Sequence, residues 1–167
     1  MKIDIRILKR EDDRSDFSCG EIELDYFFQK FAGQNQFKHY IGTTYVAVEG
    51  QTILGFVSVS VATLTNDEIA LQKLPNYPLP VLKIARLGVD KRYQNLGIGR
   101  KLLKAMFRLA LEQKERFGCV GIVVDAKKEA VAFYEKLGFT VLQTTNQKHY
   151  HDLTGMFLPI GTIAQAG

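Results

Sequence analysis

The chain has 167 residues, 46% hydrophobic and 24% charged, with a formal net charge of +4. The 11 Phe and 7 Tyr can build a substantial core, while only 2 Cys are available for cross-links, so composition excludes a disordered chain and a disulfide framework. No apolar run approaches the roughly 20 residues of a membrane span, and the charged start MKIDIRILKRED is unlike a secretory leader, so a soluble cytoplasmic protein is expected. The mild basicity favours a polyanionic ligand or partner. Neither repeats nor linkers interrupt the chain, which reads as one domain over residues 1–167.

In chain order, Ile3, Ile5 and Ile7 alternate with Asp4, Arg6 and Leu8 at the period of a first strand. After a polar loop, the pattern from Glu21 to Phe37 is helical, with Leu24, Phe27, Phe28 and Phe31 on one side and Asp25 and Lys30 on the wetter side. That aromatic stripe suits a core or a dimer surface. Thr43 to Val48 and Ile53 to Thr63 read as a hairpin turning at Gly50. Within it Val57, Val59 and Val61 alternate with Ser58 and Ser60; lacking a Gly-x-Ser-x-Gly elbow, the serines are expected to line a polar cleft or face solvent. A helical turn or two between Asn66 and Leu74 precedes an extended, proline-marked approach that keeps Pro78 and Pro80 out of the ladder.

The stretch from Val81 to Leu103 organises the rest. Val81, Leu82, Ile84, Ala85, Leu87 and Val89 form a run broken only by Lys83, Arg86 and Gly88, the pattern of a central strand buried on both faces. Asp90 ends it. Gly97 and Gly99 then stand at the mouth of a helix whose apolar face is Leu102, Leu103, Met106, Phe107 and Ala110. Glycines there let a ligand approach the backbone, and first-turn N–H groups with the helix dipole suit a phosphate. Arg92, Arg100 and Lys101 add charge around that point. The same Gly-x-Gly also serves as plain turn chemistry, and the residues alone leave both readings open. A Walker loop is excluded because no Ser or Thr follows Arg100-Lys101, and a dinucleotide fingerprint because Leu102 stands where its third glycine belongs.

The helix is expected to run to about Arg116 with Gly118 as its C-cap, followed by a strand from Val120 to Val124 and a short helix from Lys128 to Leu137 ended by Gly138. Strands around Phe139 to Gln143 and from Lys148 to Leu158 complete the chain. His149 and His151 share a strand face, but no third ligand accompanies them, and Cys19 and Cys119 lack metal-ligand spacing. No metal site is expected, and both thiols are expected to be buried or half-buried.

Two motifs carry a resemblance. Gln94-Asn95-Leu96-Gly97-Ile98-Gly99 resembles the Gln/Arg-x-x-Gly-x-Gly/Ala loop of the GNAT superfamily of N-acetyltransferases, and Ala132-Phe133-Tyr134-Glu135-Lys136-Leu137-Gly138-Phe139 resembles that superfamily's helix-to-strand segment. The resemblance spans the whole chain. It implies an α+β fold with a central mixed, mostly antiparallel sheet of six to seven strands, helices on both faces and a splay between the fourth and fifth strands. It further implies acetyl-CoA as co-substrate, with the backbone of Gln94, Asn95, Leu96, Gly97, Ile98, Gly99 and Arg100 around its pyrophosphate. Leu87, Gly88 and Val89 would pair with its pantetheine arm, and an amide of that stretch would stabilise the oxyanion. Tyr134 would give a proton or hydrogen bond to the departing thiolate, the alternative being an aromatic packing residue of a short helix. Asp125-Ala126-Lys127-Lys128 departs from the superfamily, which often has an asparagine in the loop after the fifth strand.

Ile84-Ala85-Arg86-Leu87, Cys19-Gly20-Glu21, Leu24-Asp25-Tyr26-Phe27 and Pro78-Leu79-Pro80-Val81 resemble the TacT-like acetyltransferase toxins of bacterial toxin–antitoxin modules. That implies acetylation of the amino group of aminoacyl-tRNA, a block of translation, a ribbon-helix-helix antitoxin as partner, and a homodimer as assembly. Chemistry agrees: the central strand offers Lys83 and Arg86 but no carboxylate before Asp90, so it lacks a base for an ammonium of lysine-like pKa. An α-amine, with a pKa of about 7.7–8.0 that esterification lowers further, needs less help. Lys83, Arg86 and Arg92, with Lys30, Lys38 and Lys148, make a candidate phosphate track. Alternative readings are a housekeeping enzyme of the superfamily acting on a small-molecule or protein amine, and a non-catalytic coenzyme A-binding module.

Overall fold

The structure is a computed structural model that describes residues 2–69, 74–142 and 153–166. Its strands are β1 (Asp4–Ile7), β2 (Thr43–Glu49), β3 (Thr52–Leu64), β4 (Leu79–Val89), β5 (Gly121–Lys127), β6 (Thr140–Val141) and β7 (Leu153–Pro159). They form one sheet in the order β1-β2-β3-β4-β5-β7-β6. The pairs β1/β2, β2/β3, β5/β7 and β6/β7 are antiparallel and β4/β5 is parallel, which gives the mixed, seven-stranded sheet expected from the sequence. The chain divides into two compact units, Met1–Ser60 with Ala85–Met106 and Val61–Ile84 with Phe107–Gly167.

In the first unit one sheet face is covered by α1 (Ile22–Tyr26), which continues into π-helical turns at Phe27–Phe31 and Gln34–His39. The wider turns change which side chains point inward. Phe27, Phe28 and Ala32 are buried, whereas Phe31, expected on the apolar side, is exposed. Phe28 stacks on Phe56 of β3 at 4.4 Å between ring centroids, and Phe17 meets both edge-on at 4.8 and 5.4 Å. Leu8, Val46, Val48 and Ile53 complete this cluster. The isoleucines of β1 do not face it as their alternation suggested: Ile7 is exposed on this edge strand, and Leu8 just beyond it is buried. The opposite face packs on the start of α3 (Ile98–Arg116), and it does so at a glycine. A Cβ on Gly55 would come within 3.1 Å of Ile98 and 3.2 Å of Leu102, so only hydrogen lets the helix sit this close.

Gly50, at φ +61°, turns the β2/β3 hairpin, as its sequence indicated. Alternation along β3 does not separate a dry face from a wet one. Ser58 is buried and shares a 2.6 Å hydrogen bond with Thr44 of β2, because both faces of this part of the sheet are covered. Beyond Ser60, Val61 is exposed.

In the second unit β4 pairs with β5 through Leu82/Ile122, Lys83/Val123 and Ile84/Val124, and the parallel register ends there although both strands run on. Pro80 lies inside β4, not before it: it has no N–H to offer, but its carbonyl accepts from the Val120 amide at 2.8 Å. β5 extends three residues past the expected Val124, because β7 pairs with it along its whole length from Gly121/Pro159 to Lys127/Leu153. Val81, Val123, Phe157, Leu79 and Ile69 form one core cluster. A 3-10 turn at Lys128–Ala130 leads into α4 (Val131–Lys136), and Gly118 and Gly138, at φ +103° and +102°, end α3 and α4 as expected. The helical turn expected after Asn66 is α2 (Asn66–Ile69), and residues 70–73 lie outside the described ones. A C-terminal helix α5 (Ile160–Ala166), unforeseen, seats Ile163 in the core. The expected strand residues Gln143, Lys148, His149 and His151 lie outside the described ones.

Candidate active site

The apolar run of β4 proves to be two segments. Val81, Leu82 and Ile84 are buried, whereas Ala85 and Arg86 are exposed and Leu87 and Val89 half-buried, so the expectation of burial on both faces fails from Ala85 onward. The break falls where the parallel register stops. Gly88 is the exception in this second segment. A Cβ there would come within 3.0 Å of Phe56 and 3.6 Å of Cys19, so its glycine serves core packing and leaves only the backbone for a ligand.

Asp90 anchors the loop between β4 and α3. Only 1% exposed, it accepts from the Arg92 backbone N–H and Nε at 3.0 Å each, from Arg92 Nη2 at 3.0 Å, and from the Ser18 amide at 3.2 Å. Burial by itself would raise its carboxyl, but the bonds from Arg92 and Ser18 outweigh that, and the net shift is downward. Asp90 is therefore held as a carboxylate and is not a base in waiting. Its own amide donates to Leu54 O at 2.9 Å, which ties the loop to β3. Gln94 adds a second tie. Its Nε2 donates to Cys19 O at 3.1 Å and Val89 O at 3.0 Å, so its side chain braces the loop instead of reaching for an anion. That role was invisible in a motif read as ligand-binding.

Between this brace and α3 the backbone turns through two left-handed residues, Asn95 at φ +66° and Gly97 at +81°. Ile98 is buried and begins α3; the Lys101 amide is the first to bond back, to Gly97 O at 3.1 Å. By helix geometry the amides of Ile98, Gly99 and Arg100 precede any intrahelical acceptor. A Cβ on Gly99 would meet only Val89, at an ordinary 3.8 Å, and on Gly97 nothing within 4 Å. The protein's own packing at 99 does not require glycine. The bare backbone leaves an uncovered ring of N–H groups at a helix N-terminus, the surface a pyrophosphate fits.

The three cations expected at the acceptor are not brought together. Lys83 belongs to the second unit and pairs with Asp125 at 3.5 Å. Arg92 is clamped to Asp90. Arg86 alone addresses open space: its guanidinium lies 3.9 Å over the Phe27 ring, burial lowers its pKa, and it lines a small pocket with Thr43, Thr44, Ser58 and Ser60. That pocket realises the polar cleft expected of the serines. Lys83 and Arg86 are three residues apart on one strand and so point to opposite faces, which a track read from spacing overlooked. In the second unit Tyr134 is 4% exposed, packed edge-on against Phe139 at 5.3 Å, and burial pushes its hydroxyl up to about 12. It is thus a neutral phenol throughout the physiological range. Asp125, Ala126 and Lys127, expected as loop, are the end of β5. Among the described residues no cluster of His, Cys, Asp and Glu could hold a metal ion, and no helix is long and apolar enough to cross a membrane.

Two parallel strands that stop pairing while both run on, followed by a glycine-lined helix N-terminus, suit an acyltransferase, and the profile of the acetyltransferase (GNAT) domain matches residues 41–141: the chain belongs to that family of acetyl-CoA-dependent enzymes. Among curated relatives it is similar to a tRNA-acetylating toxin of Mycobacterium tuberculosis (strain ATCC 25618 / H37Rv), 28% identical over 145 residues that cover 83% of this chain and 85% of the relative. Among solved structures it resembles a tyrosine-to-phenylalanine variant of KacT, with a TM-score of 0.87, 25% identity and 100% of both chains covered. AtaT complexed with acetyl-methionyl-tRNAfMet shares the fold at a TM-score of 0.87 and 22% identity, over 99% of each chain.

Proposed function

We propose that this chain, acting as a single domain over residues 1–167, acetylates the α-amino group of an aminoacyl-tRNA and thereby stops translation. The observation that carries this acceptor is the lack of an available carboxylate on β4: Lys83 and Arg86 are its only charged residues, and Asp90 just beyond is consumed by Arg92 and Ser18. An acceptor with a lysine-like pKa of about 10.4 would need a base, whereas an α-amine of about 7.7–8.0 or lower is largely neutral at cellular pH.

Acetyl-CoA supplies the acyl group as a thioester, open to direct attack by the amine. The amides of Leu96, Gly97, Ile98, Gly99 and Arg100 hold the pyrophosphate, with Gln94 and Asn95 shaping the loop, and the backbone of Leu87, Gly88 and Val89 pairs with the pantetheine arm. Tyr134, kept protonated by burial, hydrogen-bonds the sulfur as the C–S bond breaks and passes it a proton while the nitrogen of the tetrahedral intermediate gives up its own proton to restore the phenol, so that the amide and the free thiol form together. Arg86 faces the acceptor and neutralises phosphate near the reacting amine. The protein works in the cytoplasm as a homodimer, restrained by a ribbon-helix-helix antitoxin.

The test is acetyl transfer from radiolabelled acetyl-CoA to a panel of purified aminoacyl-tRNAs. Labelled N-acetyl-aminoacyl ester on at least one of them is expected, and transfer to none while lysine or polyamine acceptors turn over would overturn the proposal.

A further inference from the structure

The pocket beside Arg86 lies within the first unit, on a sheet face that changes character along two strands. On β3, Phe56 belongs to the aromatic cluster, and Ser58 and Ser60 follow it on the same side of the strand; on β2, Val46 stands opposite Phe56 and Thr44 opposite Ser58. An apolar surface thus gives way to hydroxyls within one pair of residues. Thr44 and Ser58 are only 2% and 6% exposed, and their oxygens share a 2.6 Å hydrogen bond. One hydroxyl hydrogen fills that bond. The other has no acceptor among the described residues, although both side chains belong to the pocket lining. A buried hydroxyl with bonding capacity left over is costly until a partner reaches it.

We infer that this pocket receives the side chain of the esterified amino acid and selects a small hydroxylated one, threonine or serine. The inference rests on the aminoacyl-tRNA reading and names the acceptor within it. Ala85 and Arg86, on the pocket wall, directly precede the Leu87–Val89 backbone assigned to the pantetheine arm, so an amine brought to the thioester carries its side chain toward this space. The cavity is about 60 Å³, room for about four water-sized groups at roughly 10–15 Å³ apiece. Threonine and valine both fit, and phenylalanine does not. Valine has the shape of threonine but leaves the Thr44–Ser58 pair without its outside partner, and alanine stands to serine in the same way. Lysine and arginine side chains are repelled by Arg86, beside which no carboxylate lines the pocket. An aspartate side chain fits by size, but its carboxylate would give up its hydration for a single spare O–H at the buried end.

The experiment charges one tRNA body in turn with threonine, valine, serine, alanine, aspartate and phenylalanine and measures kcat/KM for acetyl transfer by wild type and by Thr44→Val/Ser58→Ala. Removing both hydroxyls together orphans neither, so the double variant should fold, which acetyl-CoA binding and thermal unfolding verify. For wild type we expect threonine over valine and serine over alanine by at least about tenfold, with phenylalanine behind all of them. In the double variant both ratios should fall to within about threefold of unity, through loss on the hydroxylated substrates. The wild-type ratios decide without any variant. Ratios near one in wild type, or aspartate or phenylalanine ahead of threonine, would overturn the inference and leave the aminoacyl-tRNA reading standing. Ratios unchanged in the folded double variant would overturn it as well. Acetylation of none of the six by wild type would remove that reading and this inference with it.

Discussion

Replacing Tyr134 with Phe removes one oxygen from a 4% exposed side chain and keeps the ring that packs on Phe139 and Phe133. If the hydroxyl is the general acid, kcat should fall by about 10²- to 10⁴-fold, which is roughly 3 to 5 kcal/mol of barrier. The affinity for acetyl-CoA and the stability at pH 7 should change little. A packing residue would show the opposite pattern. The same burial makes a second, independent claim. The phenol titrates near 10.0 in the unfolded chain and at about 12 in the folded one, so the folded state prefers the neutral form by about 2 units, or ~2.7 kcal/mol. Because the folded pKa is the higher, this stabilisation is complete below pH 10 and is lost as pH rises toward 12. At pH 11 wild type should already have lost about 1.4 kcal/mol from this group alone, while the variant is spared that loss and the other tyrosines cancel in the comparison. Urea denaturation of both proteins at pH 8 and pH 11, with acetyl-transfer kinetics at pH 8, measures both effects. Equal kcat would refute the acid role, and an identical alkaline loss in the two proteins would refute the burial argument beneath it.

The bracing of the loop before α3 sets further expectations. Asp90→Asn should cost about 2–4 kcal/mol, discounted because Arg92 is 56% exposed. In wild type, Asp90's contribution is present above the unfolded pKa of about 3.9 and lost as pH falls through the lower folded value, so the stabilities of the two proteins in urea should converge as the pH is lowered. Gln94→Ala, which removes two bonds to backbone carbonyls, should raise the Kd for acetyl-CoA by about tenfold in calorimetry with a stability loss of about 1–2 kcal/mol. Gly97→Ala forces a Cβ into a left-handed turn, costs about 1–2 kcal/mol in urea denaturation and weakens acetyl-CoA binding, though it strikes no neighbour. Arg86→Ala should raise KM for the aminoacyl-tRNA about tenfold and, through loss of its stacking on Phe27, lower stability by no more than about 1 kcal/mol.

The order of elements, the hairpin at Gly50, the glycine-lined mouth of α3 and the caps at Gly118 and Gly138 were legible in the sequence, because turns, caps and helix faces are set by neighbours a few residues apart. So was the membership the two motifs implied, down to the acetyl-CoA chemistry. The sequence could not decide which half of an apolar run is covered. The Val81–Val89 run reads as one strand, yet exposure begins at Ala85, where the parallel register to Ile122–Val124 has ended, and that is a matter of a partner strand some 40 residues away. The cations sort in the same way. Lys83 and Arg92 are spent on Asp125 and Asp90, while Arg10 and Arg14, unremarkable in the chain, meet Lys30 and Lys38 through the packing of a π-helical segment. Local chemistry names the residue types a site can use, but charge pairing and burial are settled over distances in space that chain spacing does not encode.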